Sequence, residues 1–266
     1  MGSKTAISIH SGRFCINGVI TNQGSPAEGC LIGVCRPFTY DFAEWHNAGV
    51  NLISIKLIEF TSLEAIIKSA DDAGITVLVH LTDNDSERSY SDELALFSAL
   101  QDYSDWFEQK RFPNVMVSVC DYPIKEYKSQ TLRGDGLVKT LKMIRRHLGE
   151  DIILTAHLPM NLSAKRKEQY MQLVDFIPYG SGKNHNARTM IADTFELRSA
   201  ADKKRPLPIV VTRGDDFSEI TRSYGRSTLA EAICEKASWC FYGGENSYGE
   251  NFNEFLRETA KLILPD

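Results

Sequence analysis

Eight short apolar runs separated by helix-sized intervals constrain this chain more than any other feature of its sequence. They read CLIGVC (30–35), NLISIKL (51–57), ITVLVHL (75–81), VMVSVC (115–120), IILTAH (152–157), VDFIPY (174–179), PIVVT (208–212) and SWCFYG (238–243). Several show little alternation of apolar and polar positions, as strands do when a parallel sheet is covered on both faces. The intervals carry helical periodicity. Leu63, Ile66, Ile67 and Ala70 fall at i, i+3, i+4 and i+7, Leu137, Leu141, Ile144 and Leu148 form a second stripe, and Phe252, Phe255, Leu256, Leu262 and Ile263 form a third. Gly49, Gly74 and Gly149 read as helix stops just before new strands, and Ser91-Asp92-Glu93 as a capped helix start.

Eight βα units in 266 residues, with no linker or composition break, predict an α/β protein of the (β/α)8 TIM-barrel class, one domain spanning residues 1–266. An open doubly wound sheet is the competing fold, but it seldom has eight such regular units, and neither GxGxxG nor GxxxxGK[ST] occurs. The opening AISIHSGRFCING alternates and holds Asn17-Gly18, which predicts a hairpin within a lead-in of residues 1–28, plugging the N-terminal end of the barrel.

The hydrophobic share of 42%, with 18 Gly and 9 Pro, is that of a soluble globular protein with a large core. A net charge of −5 supplies no general field for nucleic acid or an anionic membrane, and the basic runs AKRKE (164–168) and DKKRP (202–206) read as solvated faces. No apolar run approaches the ~18 residues of a membrane span, and the N-terminus lacks the apolar stretch of a signal peptide. Six cysteines without a CxxC pair, four of them inside strand-like runs, read as buried free thiols. The compartment expected from that is reducing and cytoplasmic, with secretion after loss of a signal left open.

In such barrels chemistry sits at the C-terminal ends of the strands. Taken in chain order, the runs end in Arg36; Glu59; His80 with Asp83 and Asp85; Asp121 and Tyr122; His157; Tyr179; Arg213 with Asp215 and Asp216; and Trp239, Tyr242 and Glu245. Aromatic faces stack on sugar rings, and paired carboxylates do acid/base work on glycosidic bonds. His80, Asp83, Asp85 and His157 offer strand-end ligands of the kind used by metal-dependent barrel hydrolases, but those open on a His-x-His in strand one. Strand one here offers Gly-Val-Cys-Arg, and neither metal nor cofactor is expected.

At this point the chain resembles the cellulase-like glycoside hydrolases, retaining enzymes on a (β/α)8 barrel. The likeness rests on GRFCING, then GCLIGVCRP, then the Ala48-Gly49-Val50-Asn51-Leu52 step into strand two. It continues through His80, VMVSVCDYP, VDFIPYG, KKRPLPIVVTRG and SWCFYG. The resemblance implies a carbohydrate partner and a catalytic glutamate after each of strands four and seven. Asp121 or Tyr122 stands at the first of those places, and Thr212 or Arg213 at the second.

The carboxylates have therefore moved, or the barrel no longer cleaves glycosides. On the first reading the protein hydrolyses O-glycosyl bonds of an oligo- or polysaccharide. Asp121 is then the acid/base, Asp215 (or Asp216) or Glu59 the second carboxylate, and Arg36, His80, His157, Tyr179, Arg213, Trp239, Tyr242 and Glu245 bind substrate. On the second it is a pseudo-glycosidase that binds a glycan or a protein. Each residue also has a plainer role: a loop cap on the following helix for Asp121, a first-turn helix charge for Glu59, a helix cap for the aspartates after strand seven, a salt bridge for Arg213, a satisfied structural histidine for His157, and barrel packing for the aromatics.

Overall fold

The computed structural model describes residues 4–35, 37, 40–121, 127–157, 163–180, 196, 199, 205–213 and 236–242. The chain opens with a three-stranded antiparallel sheet of β1 (Ile7–His10), β2 (Arg13–Ile16) and β3 (Val19–Ile20). Asn17-Gly18 turns β2 into β3 as the sequence predicts, while a second turn at Ser11-Gly12 joins β1 to β2. Both pairs lie in the left-handed region, with φ of 52° and 75° at Ser11-Gly12 and 54° and 77° at Asn17-Gly18. Two consecutive residues of positive φ match the twist of a tight hairpin. The lead-in is thus a meander of two turns, not a single hairpin.

The barrel strands follow as β4 (Ile32–Cys35), β5 (Leu52–Lys56), β6 (Thr76–His80), β7 (Val115–Ser118), β8 (Ile153–Thr155), β9 (Ile177–Gly180), β10 (Ile209–Arg213) and β11 (Ser238–Tyr242). They pair in parallel in the order β8-β7-β6-β5-β4-β11-β10-β9, so that all eight predicted runs lie in one nearly closed parallel sheet. The described helices between them are α1 (Phe42–Asn47), α2 (Phe60–Asp72), α3 (Glu93–Lys110), α4 (Gly134–Leu148) and α5 (Ala164–Leu173). Of the two predicted stripes that fall on them, Leu63, Ile67 and Ala70 on α2 are buried with Ile66 partly so, and Leu137, Leu141, Ile144 and Leu148 on α4 are all buried. Asp92 caps α3, its carboxylate accepting from the Ala95 N–H. The stripe from Phe252 to Ile263 lies outside the described residues.

Alternation along the strands sorts their side chains into two cores. Val34, Ile53, Ile55, Val77, Val117 and Ile209 pack against the helices. Leu52, Leu78, Met116, Ile153, Phe176 and Val210 fill the lumen, joined by Phe14 from β2. Phe14 is fully buried and meets Phe176 edge-on at 5.7 Å between ring centroids. The sheet therefore seals the N-terminal end, as its apolar alternation predicts.

No ladder joins β8 to β9 among the described residues, and one backbone bond and two side chains span the seam instead. The Asp175 N–H donates to the Leu154 carbonyl at 2.8 Å, the Leu154 N–H donates to Asp175 Oδ2 at 2.8 Å, and Thr155 Oγ1 donates to the Phe176 carbonyl at 2.7 Å. Arg145 of α4 clamps the same Asp175 oxygen at 2.5 Å.

Candidate active site

Above the apolar floor of the lumen, the same alternation brings in polar groups. Cys35, Ser54, His80, Ser118 and Thr155 are all buried, with relative exposures of 0–2%. A buried hydroxyl or imidazole is tolerated when hydrogen-bonded, and each of these residues makes at least one such bond. Ser118 Oγ donates to the Cys120 carbonyl at 2.8 Å. Ser54 Oγ and His80 Nε2 lie 2.7 Å apart, and the Cys35 thiol reaches Ser54 Oγ at 3.9 Å. The upper third of the barrel is therefore built for polar contact, whereas its base is built for packing.

Asp121 stands over this layer. Its N–H donates to the Thr82 carbonyl at 3.0 Å and its own carbonyl accepts from the Tyr127 hydroxyl at 2.9 Å, which locks the backbone between two loops. The side chain is nearly buried, and Oδ1 is 3.8 Å from His80 Nε2. Burial drives the Tyr127 phenol well above its ordinary range, and the negative fields of Cys120, Asp121, Asp83 and Glu87 push it the same way. Burial also lifts the Cys240 thiol, with Cys35 and Asp121 adding to the shift, so both thiols share the lumen with that carboxylate.

The loop that returns from Asp121 is tied down by acids of the preceding unit. Glu87 Oε1 accepts from the Ser129 N–H at 2.5 Å. Glu93 accepts from Ser129 Oγ at 2.6 Å and from the N–H groups of Gln130 and Thr131 at 2.9 and 3.0 Å. Burial works upward on Glu93, but the bonds from Ser129, Thr131 and Gln130 outweigh it and bring its carboxyl to about 2.

His80 and Asp121 are thus brought together, and His157 lies nearby at the end of β8, 5% exposed, its N–H against the Cys120 thiol. Burial raises that thiol to about 12. Glu59 goes elsewhere. It is the N-cap of α2, accepting from the N–H groups of Thr61 and Ser62, and bonds from Thr61 and Ser62 hold its carboxyl at about 2. Trp239 faces the helices instead of the lumen, 1% exposed in the outer core, with no ring face open to a sugar. Tyr179 packs against that same outer core and is half-buried. Asp83 makes a turn, Oδ1 accepting from the N–H groups of Asp85 and Ser86 at 3.1 and 2.8 Å.

Arg36, Tyr122, Asp215, Asp216 and Glu245 lie outside the described residues, as do the side chains of Arg213 and Tyr242, whose backbones end β10 and β11. Two groups at the mouth were not singled out from sequence. Ser54 sits inside an apolar run, and Lys56 lies two residues further on the same face, its side chain 53% exposed and 4.0 Å from Asp83. The signal for both was a polar residue at every second place in the second half of strand β5. No group of three or more His, Cys, Asp or Glu side chains suited to a metal occurs among the described residues.

The chain superposes on a family 5 glycoside hydrolase from Bacteroides vulgatus with a TM-score of 0.62 at 11% identity, over 90% of this chain and 62% of that one. It superposes on the catalytic domain of a Thermobifida fusca endoglucanase with a TM-score of 0.61 at 11% identity, over 98% of this chain and 100% of that one. It is also similar to a family 18 chitinase from Pseudoalteromonas aurantia, with a TM-score of 0.57 at 10% identity, over 88% of this chain and 100% of that one. The chain spans less than two thirds of the Bacteroides protein. No protein-family model and no curated relative matches the sequence. The likeness lies in the fold, a (β/α)8 barrel, as the eight βα units predict. No described helix is long and apolar enough to cross a membrane.

Proposed function

We propose that this protein hydrolyses O-glycosyl bonds of an oligo- or polysaccharide bound at the C-terminal mouth of the barrel, with Asp121 as the acid/base. The observation that carries this reading is the pairing of Asp121 with His80, 3.8 Å apart above a buried polar layer. A glycosidic oxygen needs a proton donor fixed in place before substrate arrives, and Asp121 is fixed through its backbone on both sides. The imidazole beside it gives the pair a proton to exchange. Asp215, at the end of strand β10 in the sequence, is proposed as the second carboxylate, since Glu59 is engaged as a helix cap. A separation of about 5–5.5 Å from Asp121 makes the enzyme retaining, and about 6.5–9.5 Å makes it inverting.

The test is a glycan panel run with wild type, Asp121→Asn and Asp215→Asn. Loss of at least about 100-fold in kcat for Asp121→Asn, with binding retained, supports the reading. Binding by wild type and Asp121→Asn alike, with turnover by neither, makes the barrel a glycan receptor and removes the hydrolase.

A further inference from the structure

We propose that Ser54 is a positioning residue which, backed by Cys35, keeps the His80 imidazole able to exchange one proton with Asp121. The inference deepens the hydrolase reading and rests on it for any role in turnover, but the side-chain chain itself does not. Cys35, Ser54, His80 and Asp121 come from four different places, on β4, β5 and β6 and after β7, and form one continuous buried line. The separations along it are 3.9, 2.7 and 3.8 Å. Barrel packing alone is served by an alanine at position 54, which carries no polar atom to be satisfied.

Nε2 of His80 is the hinge of the line, because both Ser54 and Asp121 address it. With the proton on Asp121, Nε2 accepts from the Ser54 hydroxyl, and Ser54 Oγ accepts from the Cys35 thiol. Transfer breaks the Asp121 O–H bond, whose electron pair stays on the carboxylate, and forms an Nε2–H bond. The imidazolium then faces the carboxylate, while Ser54 turns its hydrogen toward the Cys35 sulfur and accepts from Nε2–H. Hydroxyl and thiol can each donate or accept, so the Cys35–Ser54–Nε2 contacts persist in both proton positions. Among the described residues, the other charged or titratable groups of this cluster are Lys56, the register partner of His80 on β5, with Asp83 4.0 Å beyond it; Cys240 on β11, Tyr127, Cys120 and Glu87, whose fields meet around Asp121; and His157, whose N–H meets the Cys120 thiol. No element brings a second carboxylate to Ser54 among the described residues, so its hydroxyl answers to His80.

The test is histidine side-chain nitrogen NMR on the full chain across about pH 5–9, with His80 assigned by its loss in His80→Gln. Neutral His80 is expected as the Nδ1–H tautomer with Nε2 accepting. Ser54→Ala is expected to change that tautomer and to move the His80 midpoint by about one pH unit, and Ser54→Thr to restore both. Asp121→Asn moves the midpoint as well. A neutral Nε2–H tautomer in wild type overturns the proposal even if Ser54→Ala fails to fold, and so does a folded Ser54→Ala with unchanged His80 signals. In turnover, Ser54→Ala lowers kcat about tenfold at constant KM and displaces the pH profile. If wild type cleaves no glycan but the NMR behaves as stated, it is the hydrolase reading that fails.

Discussion

Asp175→Ala tests how the barrel is closed. Asp175 stands where the β8–β9 ladder is missing, and its Oδ2 accepts both from the Leu154 N–H at 2.8 Å and from Arg145 at 2.5 Å. Removing the carboxylate orphans an N–H on a fully buried residue, which costs about 1–3 kcal/mol. It also strips a partner from Arg145, whose side chain is 12% exposed. Arg145 retains the carbonyls of Gly149, Ile152 and Leu173, so that loss sits near the low end, about 1 kcal/mol. Together the loss is about 3 kcal/mol. At roughly 2–4 °C per kcal/mol for a chain of this size, Tm falls by about 6–12 °C. Urea unfolding monitored by circular dichroism reads the change in midpoint, with the slope expected to stay constant. Asp175→Asn keeps an acceptor for Leu154 and should recover part of the loss. A loss below about 1 kcal/mol in Asp175→Ala refutes the view that this side chain substitutes for the absent ladder.

Three further outcomes follow from the geometry. Phe14→Ala empties the lumen plug and is expected to cost about 3–5 kcal/mol in the same assay. Gly33→Ala places a methyl 2.7 Å from Cys240 Sγ and 3.1 Å from Leu52, an overpacked lumen expected to cost about 1–3 kcal/mol. Glu59→Gln leaves any glycan turnover unchanged and slightly lowers Tm. Because the folded carboxyl is depressed to about 2 from 4.5, the contribution of Glu59 is full above about pH 4.5 and fades as pH falls through about 2. The Tm difference between wild type and Glu59→Gln should shrink over that window, and a difference that is flat with pH sinks the argument.

All eight strands were legible because burial on both faces suppresses alternation and leaves a nearly continuous apolar signal. The helix stripes and the Asn17-Gly18 turn were legible for equally local reasons. What failed to show was whatever depends on face or on closure. Ser11-Gly12 was missed because a serine at positive φ carries no strong turn signature. Trp239 looked like a rim aromatic, yet Cys240 beside it takes the lumen and turns Trp239 to the helices; parity along SWCFYG held that answer. Glu59 read as a catalytic carboxylate or a first-turn helix charge, and the adjoining Thr61 and Ser62 amides make it a cap instead. Ser54 escaped because one small polar residue in an apolar run looks unremarkable until His80 from the next strand is set beside it. The Asp175 seam is a tertiary fact, since nothing local to Val174-Asp175-Phe176 announces that a strand partner is missing.

The N-terminal plug has a consequence for the order of assembly. Its residues are anchored at points spread along the chain: Thr5 to Asp71, Ile7 to Pro113, and Phe14 to Phe176. The segment made first thus meets Phe176 only when the sixth barrel strand arrives, across a loop of more than a hundred residues, and Pro206, Val210 and Cys240 later still, and contacts of that span slow folding. Until then Phe14, Ile7 and Ile9 have no lumen to enter. The piece that completes the base is the one that waits longest, so refolding should show the plug protected from hydrogen exchange later than helices α2 and α4.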